Sequence, residues 1–291
     1  MIQVRNMTYA YEKGIPVLQD ITLMEHEPVI MGLWGRNGAG KTTLMKLLAG
    51  HMQPDGGDIK IMGKAPYNDE KAVQHICYMQ EEHPFSNLWS IHDALHFSRY
   101  FNPNWDQNLA ASLLNTFKLD AKKKVSKLSK GMKSALHFII GLASQASITI
   151  LDEPINGLDA GMRKKLYEAL LESHGENPRL IMLSTHHIEE LQALLESLVV
   201  LVNGRLLFYE PMDKVREKGV WIAGKKKNVE QVITGQRVLE KSKAGSLVKI
   251  LIDAPFSSKW RALAHTHGLS VEKARMQDYL LNITSEGEVP A

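Results

Sequence analysis

The segment Gly35-Arg36-Asn37-Gly38-Ala39-Gly40-Lys41-Thr42 decides the fold expected of this chain. It fits the pattern G-x-x-x-x-G-K-[ST] in full, with an apolar run at 29–33 before it and a helical pattern after it. Glycines let such a loop curl so that its N–H groups face phosphate oxygens, and the helix that follows adds its positive end. We therefore predict a nucleoside triphosphate site. There Lys41 reaches the β- and γ-phosphates and the Thr42 hydroxyl coordinates Mg²⁺. The alternative, a glycine-rich turn that only resembles the motif, is disfavoured by the flanking strand and helix.

A second apolar run, 148–151, ends in two acidic residues, Asp152 and Glu153. We expect Asp152 to hold Mg²⁺, directly or through water. We expect Glu153 to polarise the water that attacks the γ-phosphate. Strand ends are often acidic, so this pair becomes strong support only because the phosphate loop precedes it.

Apolar runs and helical patterns alternate around these motifs. Strands and helices are predicted to alternate at 148–151, 161–173, 180–184, 188–196 and 198–202. This order predicts an α/β fold, the parallel sheet of a P-loop NTPase with helices on both faces. Two antiparallel strands are expected around Lys13-Gly14, and a hairpin at Asn203-Gly204.

The character of the chain changes near residue 218. Residues 1–218 are predicted to form a nucleotide-binding domain with a helical insertion at about 88–135. Residues 219–291 are predicted to form a small accessory α+β domain, with a hairpin at Ala244-Gly245 and two helices around Gly268. An isolated hairpin is only marginally stable. We therefore expect it to pack on the tail's helices, on residues 1–218 or on a second copy.

The composition is that of an ordinary folded protein, with 44% hydrophobic and 23% charged residues and a formal net charge of +3. That balance gives no electrostatic argument for a nucleic-acid partner, and none is expected. Cys77 is the single cysteine, which excludes an internal disulfide and fits a reducing compartment. The first residues lack the apolar core of a signal peptide, and no stretch is apolar enough to span a bilayer. If the protein serves a membrane process, another chain must supply the membrane part.

Further motifs resemble those of the ATP-binding-cassette (ABC) family, in the family's order over about residues 1–215. The segment Leu128-Ser129-Lys130-Gly131-Met132 looks like the family signature, usually LSGGQ. Gln80 matches the Q-loop, Gly157-Leu158-Asp159 the D-loop, and His186 the switch histidine. Tyr11 matches the aromatic that stacks on adenine, although Tyr9 is a rival in the same strand.

This resemblance implies an ATPase whose two subunits pack head to tail, with each ATP between one phosphate loop and the other subunit's signature helix. It implies catalytic roles for Glu153, His186 and Gln80, and Mg²⁺ coordination by Thr42, Gln80 and Asp152. The expected nucleotide-binding residues are Tyr11, Gly35, Arg36, Asn37, Gly38, Ala39, Gly40, Lys41, Thr42, Thr43, Ser129, Lys130, Gly131 and Asp159.

Three positions depart from the family pattern: Lys130 replaces a glycine, Met132 a glutamine, and Ser134 an arginine. A cation is unfavourable at a helix N-terminus, but beside a triphosphate it favours binding. The segments LSKGM, NGLD and MQDYLL look like the exporter branch of bacterial systems. That likeness implies a homodimer on the inner face of the cell membrane, bound to a separate integral-membrane permease.

Two other functions are compatible with the phosphate loop. A soluble ABC-family ATPase that acts on ribosomes or DNA is disfavoured by the single cassette and the short spacing between Gln80 and Ser129. A nucleotide-dependent regulatory binder without turnover is disfavoured because Glu153 and His186 are both present.

The permease is expected to dock at about 80–93, where Phe85, Leu88 and Trp89 interrupt a polar segment. The alternative is that Trp89 packs inward against the insertion's own helices. The paired histidines, His186-His187 and His265 with His267, are not expected to bind metal, because their spacing does not bring the side chains together.

Overall fold

The computed structural model describes residues 1–12, 14–82 and 85–285. It divides into two compact units. The first unit comprises Met1–His186 and Leu194–Tyr209, and the second comprises His187–Ala193 and the chain from Glu210 onward.

The first unit contains a six-stranded sheet with the strand order β5-β6-β7-β3-β8-β9. Its strands are β3 (Ile30–Trp34), β5 (Ile76–Met79), β6 (Ile148–Leu151), β7 (Leu180–Thr185), β8 (Ser197–Val202) and β9 (Arg205–Pro211). The pairs from β5 through β8 are parallel, and every residue of β3, β6 and β7 is buried. Strands buried on both faces read as continuous apolar runs, which is why the sequence predicted this parallel sheet. That fold class is confirmed.

A three-stranded antiparallel sheet accompanies it, with the order β2-β1-β4. Its strands are β1 (Ile2–Glu12), β2 (Ile15–Glu25) and β4 (Gly56–Ile61). The predicted pairing of the first two strands is confirmed, with Glu12 opposite Ile15, while Lys13 of the predicted turn lies outside the described residues. Residues of both sheets and of the first helix share one apolar core, which anchors the loop between β3 and that helix.

Helices cover this core and form the insertion. They are α1 (Lys41–Leu48), α2 (Glu70–Val73), α3 (Ile91–Phe101), α4 (Gln107–Thr116), a 3₁₀ turn at Val125–Lys127, α5 (Lys130–Ala143) and α6 (Ala160–Glu176). A capping box of Ser90 and Asp93 begins α3, and the Asp106 side chain begins α4. The last insertion helix, α5, continues past the expected end at 135, because residues 135–143 are all buried.

The second unit has its own antiparallel sheet, with the order β11-β12-β10-β13. Its elements are α7 (Ile188–Leu191), α8 (Met212–Arg216), β10 (Lys218–Lys225), α9 (Lys226–Val232), β11 (Val238–Ala244), β12 (Leu247–Pro255), α10 (Ser258–His267), β13 (Ser270–Lys273) and α11 (Met276–Ser285). Val220, Ile222, Ile250, Ile252 and Trp260 form the centre of a separate core. The predicted hairpin therefore packs within its own unit.

Several boundaries differ from those expected from the sequence. The second unit begins at Glu210 rather than 219, because Lys218 Nζ lies 2.6 Å from Glu210 Oε1 and Lys273 Nζ lies 2.8 Å from Glu217 Oε1. The helix expected at 188–196 ends at Leu191 and belongs to the second unit. A strand, β13, separates the two helices expected on either side of Gly268.

Candidate nucleotide-binding site

The loop between β3 and α1 surrounds a cavity of about 340 Å³. The cavity is lined by Val17, Asn37, Gly38, Ala39, Gly40, Lys41, Thr42, Thr43, Glu81, Asp152 and Glu153. Gly40 has a φ of +98°, and a Cβ there would lie 2.6 Å from Leu18 Cδ2, so glycine is required at this turn. Gly40 is also the N-cap of α1 and has no side chain to bond the first N–H groups of the helix, which remain open to an anion.

Lys41 lies at the base of this loop and is buried. Its Nζ donates a hydrogen bond to the carbonyl of Gly35 at 2.7 Å and contacts that of Arg36 at 3.5 Å. Burial lowers the pKa of Lys41, while the nearby carboxylates of Glu153 and Asp152 act in the opposite direction. The ammonium is thus oriented by backbone carbonyls in a site whose desolvation strengthens its attraction for phosphate.

Asp152 follows β6 and is held through both of its carboxylate oxygens. Oδ2 accepts a hydrogen bond from Thr42 Oγ1 at 3.1 Å, and Oδ1 accepts one from Ser184 Oγ at 2.6 Å. Burial raises the pKa of Asp152. The hydrogen bonds from Ser184 and Thr42 lower this pKa, whereas the negative charges of Glu153 and Glu81 raise it. A raised carboxyl pKa indicates that a cation would be stabilised here. A carboxylate beside a hydroxyl is also a fitting oxygen donor set for Mg²⁺.

Ser184 is a site residue that was not predicted from the sequence. It lies near the carboxyl end of β7, directly beside the strand that carries Asp152, and it also accepts a hydrogen bond from the Glu153 N–H at 2.9 Å. The sequence signal for it was a hydroxyl residue near the carboxyl end of a predicted strand next to the strand that ends in Asp152 and Glu153. This single serine fixes the orientation of both acidic residues.

Glu153, which lines the cavity, is in contact with His186. His186 Nδ1 lies 2.9 Å from Glu153 Oε2, although the two residues are 33 positions apart in the sequence (186 − 153). Glu153 is buried and has a φ of +49°, which is uncommon for a residue with a side chain. This pair provides a carboxylate and an imidazole at the site expected for the γ-phosphate.

The two candidate adenine-stacking tyrosines occupy different environments. Tyr11 is 57% exposed, and its hydroxyl lies 3.2 Å from Thr43 Oγ1. Tyr9 is half-buried and packs against the core, with its ring 5.1 Å from that of Tyr11. Tyr11 is therefore the one with an open face next to the phosphate loop.

The signature and D-loop residues do not line this cavity in their own chain. Ser129 is the N-cap of α5 and accepts a hydrogen bond from the Met132 N–H at 3.3 Å. A Cβ on Gly131 would lie 2.3 Å from the carbonyl oxygen of Gly157, so the two loops touch through their backbones. Asp159 is the N-cap of α6 and accepts a hydrogen bond from the Met162 N–H at 2.8 Å.

Gln80, directly after β5, is half-buried, and its neighbour Glu81 lines the cavity. The expectation of an exposed Phe85 is wrong. Phe85 is only 8% exposed, because its ring turns inward, with its centroid 5.9 Å from that of His137 on α5.

The other apolar residues of the expected docking segment differ in exposure. The ring centroid of Trp89 lies 4.8 Å from that of Phe97, while Leu88 is 78% exposed. His83 and Pro84 of the expected docking segment lie outside the described residues.

Comparisons with known proteins identify the family of this chain. Residues 18–156 match the family model described as ABC transporter. An uncharacterized ABC transporter ATP-binding protein, MJ1023 of Methanocaldococcus jannaschii, is 31% identical over 226 residues, which cover 76% of this chain and 81% of that protein. The chain belongs to the ABC transporter family.

Other relatives extend this result. The ABC transporter ATP-binding protein YtrB of Bacillus subtilis is 28% identical over 222 residues, which cover 76% of each chain. A solved structure described as a dimeric post-hydrolysis state of the ATP-binding cassette MJ0796, bound to ADP and Pi, superposes with a TM-score of 0.65. It is 20% identical, and the match covers 73% of this chain and 99% of that one, so it supports the fold alone.

This ABC protein is accordingly an ATP-binding, ATP-hydrolysing subunit of a transporter. Within residues 1–12, 14–82 and 85–285, no helix has the length and apolar character needed to cross a bilayer. Within the same residues, no cluster of three or more histidine, cysteine, aspartate or glutamate side chains is arranged to hold a metal. The fit to Mg²⁺ rests instead on few protein oxygens, as is usual where phosphates complete the coordination.

Proposed function

We propose that this ATPase forms a homodimer around two ATP–Mg²⁺ and drives export through a separate integral-membrane permease, from the cytoplasmic face of the membrane. The observation that carries the proposal is that Lys41, Thr42, Asp152 and Glu153 line one cavity, and that His186 Nδ1 lies 2.9 Å from Glu153 Oε2. Each of these groups has the chemistry that phosphoryl transfer to water requires.

Within one subunit, the N–H groups of the loop and the Lys41 ammonium bind the triphosphate, and the open face of Tyr11 stacks on adenine. Thr42 and Asp152 would hold Mg²⁺, with Gln80 as a further ligand, and the ion would neutralise phosphate charge. Glu153 accepts the proton of the attacking water, and His186, which contacts the Glu153 carboxylate, bears on the γ-phosphate.

The second subunit completes the site. Ser129, Lys130, Gly131 and Asp159 lie outside the cavity of their own chain, so they reach nucleotide only on a neighbouring copy. The N-terminus of α5, a 14-residue helix, would direct its N–H groups at the γ-phosphate of that copy. The MJ0796 cassette, which shares this fold, is a dimer in its ADP- and Pi-bound state.

The export direction rests on the likeness of LSKGM, NGLD and MQDYLL to the exporter branch. Exposed apolar side chains in and near the segment 80–93 support the proposal that the permease binds there. They are Leu88, Phe97, Tyr100 and Phe101, of which Tyr100 is 83% exposed. Contiguous apolar side chains on a surface are typical of an interaction site.

Leu88→Ala and Trp89→Ala test this docking surface. Each variant is expected to reduce the fraction of tagged chain recovered from membranes with an integral-membrane protein, which mass spectrometry identifies. Basal ATPase activity is expected to stay within about twofold of wild type. Leu171→Ala is the matched control, since Leu171 is 50% exposed on α6. Full retention of the membrane protein by both test variants would place the docking surface elsewhere.

A further inference from the structure

Glu81 lies where three functional segments meet. Its Oε1 accepts a hydrogen bond from Asn156 Nδ2 at 2.7 Å and lies 3.0 Å from Lys130 Nζ. Glu81 follows Gln80, Lys130 is the unusual cation of the signature, and Asn156 precedes Gly157-Leu158-Asp159. One carboxylate oxygen thus joins segments that the family resemblance treats as separate motifs.

A second set of contacts joins two of these segments independently. Ser134 Oγ lies 2.7 Å from the carbonyl oxygen of Asn156 and 3.2 Å from that of Lys130. The close approach of Gly131 to the Gly157 carbonyl adds direct backbone packing. The first turn of α5 is therefore fixed against residues 156–157, and serine at position 134 has a structural reason.

Asn156 is also hydrogen-bonded to the turn that carries Glu153. The Asn156 N–H donates to the Glu153 carbonyl at 3.0 Å. Glu81 itself lines the phosphate cavity together with Asp152 and Glu153. Binding or loss of nucleotide in that cavity therefore changes the electrostatic environment of the Glu81 carboxylate, which is paired with Lys130.

We propose that Glu81, Lys130 and Asn156 form a clamp through which the nucleotide in a chain's own cavity positions the signature end of α5. Glu81 and Asn156 are its positioning residues, and Lys130 is the group they present to the nucleotide of the second subunit. The clamp rests on the proposed function, because Lys130 meets a nucleotide only when two subunits pack head to tail.

A double-mutant cycle on the full-length chain tests the clamp. Glu81→Gln keeps an acceptor for Asn156 but removes the charge that holds Lys130, and Lys130→Met removes the other partner. Each change is expected to lower kcat about fivefold, the scale of a partly exposed ion pair, with KM for ATP within about twofold. The double variant is expected to lose about fivefold as well, rather than the ~25-fold of two independent effects.

Three further variants sharpen the result. Lys130→Arg is expected to retain at least about half of the wild-type kcat, because it keeps the charge. Asn156→Ala is expected to lower kcat on its own, through the other arm of Glu81. Lys133→Met removes the same charge one turn along α5 and is the matched control, expected to change kcat less than about twofold.

Multiplicative losses in the double variant, or no loss in Glu81→Gln, would overturn the clamp. Failure of the proposed dimer has a different signature. If Glu153→Gln with ATP and Mg²⁺ were monomeric in analytical ultracentrifugation, the two-subunit site would be wrong whatever the cycle showed. A clamp that served folding alone would shift the urea midpoint of the nucleotide-free protein in Glu81→Gln, Lys130→Met and the double variant, and would leave kcat unchanged.

Discussion

Glu153→Gln separates ATP binding from hydrolysis. The amide has the shape of the carboxylate, and the turn that positions residue 153 is held by a backbone hydrogen bond to Ser184, which the substitution does not touch. What is lost is the basic oxygen 2.9 Å from His186 Nδ1. A positioned general base contributes at least about a hundredfold to a rate, so we expect kcat to fall by that factor, or about 2.7 kcal/mol in the barrier.

ATP affinity is expected to stay the same or to rise in this variant. The negative charge of Glu153 is one of two that raise the pKa of Lys41 inside the cavity. The same charge repels a bound triphosphate, and the substitution removes it. Phosphate release measures turnover, titration calorimetry measures affinity, and size exclusion with ATP and Mg²⁺ measures the dimer, which should accumulate. Glu82→Gln, an exposed acid nearby, is the control. A Glu153→Gln protein that hydrolyses ATP at near the wild-type rate would refute the assignment of the base.

Two further predictions address the phosphate loop and the second unit. Lys41→Ala is expected to weaken ATP binding by at least about tenfold in calorimetry, because a buried, charge-assisted contact is lost, whereas Lys46→Ala on the same helix should bind normally. Unchanged affinity would mean that the loop at 35–42 is not the nucleotide site. If the second unit holds subunits together without nucleotide, Leu247→Asp and Leu281→Asp should weaken nucleotide-free dimerisation in analytical ultracentrifugation, since both leucines are exposed on that unit. Dimerisation equal to that of wild type would leave the unit as a self-contained cap.

The sequence predicted the parts of the fold in which local pattern and burial agree. Strand β6 spans the predicted residues, and β7 and β8 each differ by one residue, because strands buried on both faces leave an unbroken apolar run. The phosphate loop was equally predictable, since Gly38 and Gly40 have φ values of +82° and +98°, which glycine adopts without a steric penalty.

The second unit was harder to predict because its strands have weaker patterns. Strand β10, in which buried and half-buried residues follow one another irregularly, went unpredicted, and it is the strand that pairs with both β12 and β13. The burial of Phe85 was missed for a related reason. A polar segment around an aromatic residue does not reveal that α5 places the ring of His137, 52 residues further along the chain (137 − 85), beside Phe85.

The paired carboxylates of the site depend on a feature that no strand pattern contains. Successive side chains of an extended strand point to opposite faces, so Asp152 and Glu153 could not both face the cavity if β6 simply continued. The φ of +49° at Glu153 breaks this alternation, and both residues line the cavity. Left-handed backbone at a residue with a side chain costs on the order of 1 kcal/mol, and it persists only where its surroundings hold it. Ser184 supplies that hold, since its hydroxyl accepts the Glu153 N–H and donates to Asp152 Oδ1. The serine therefore connects the orientation of the base to that of the carboxylate proposed to hold Mg²⁺.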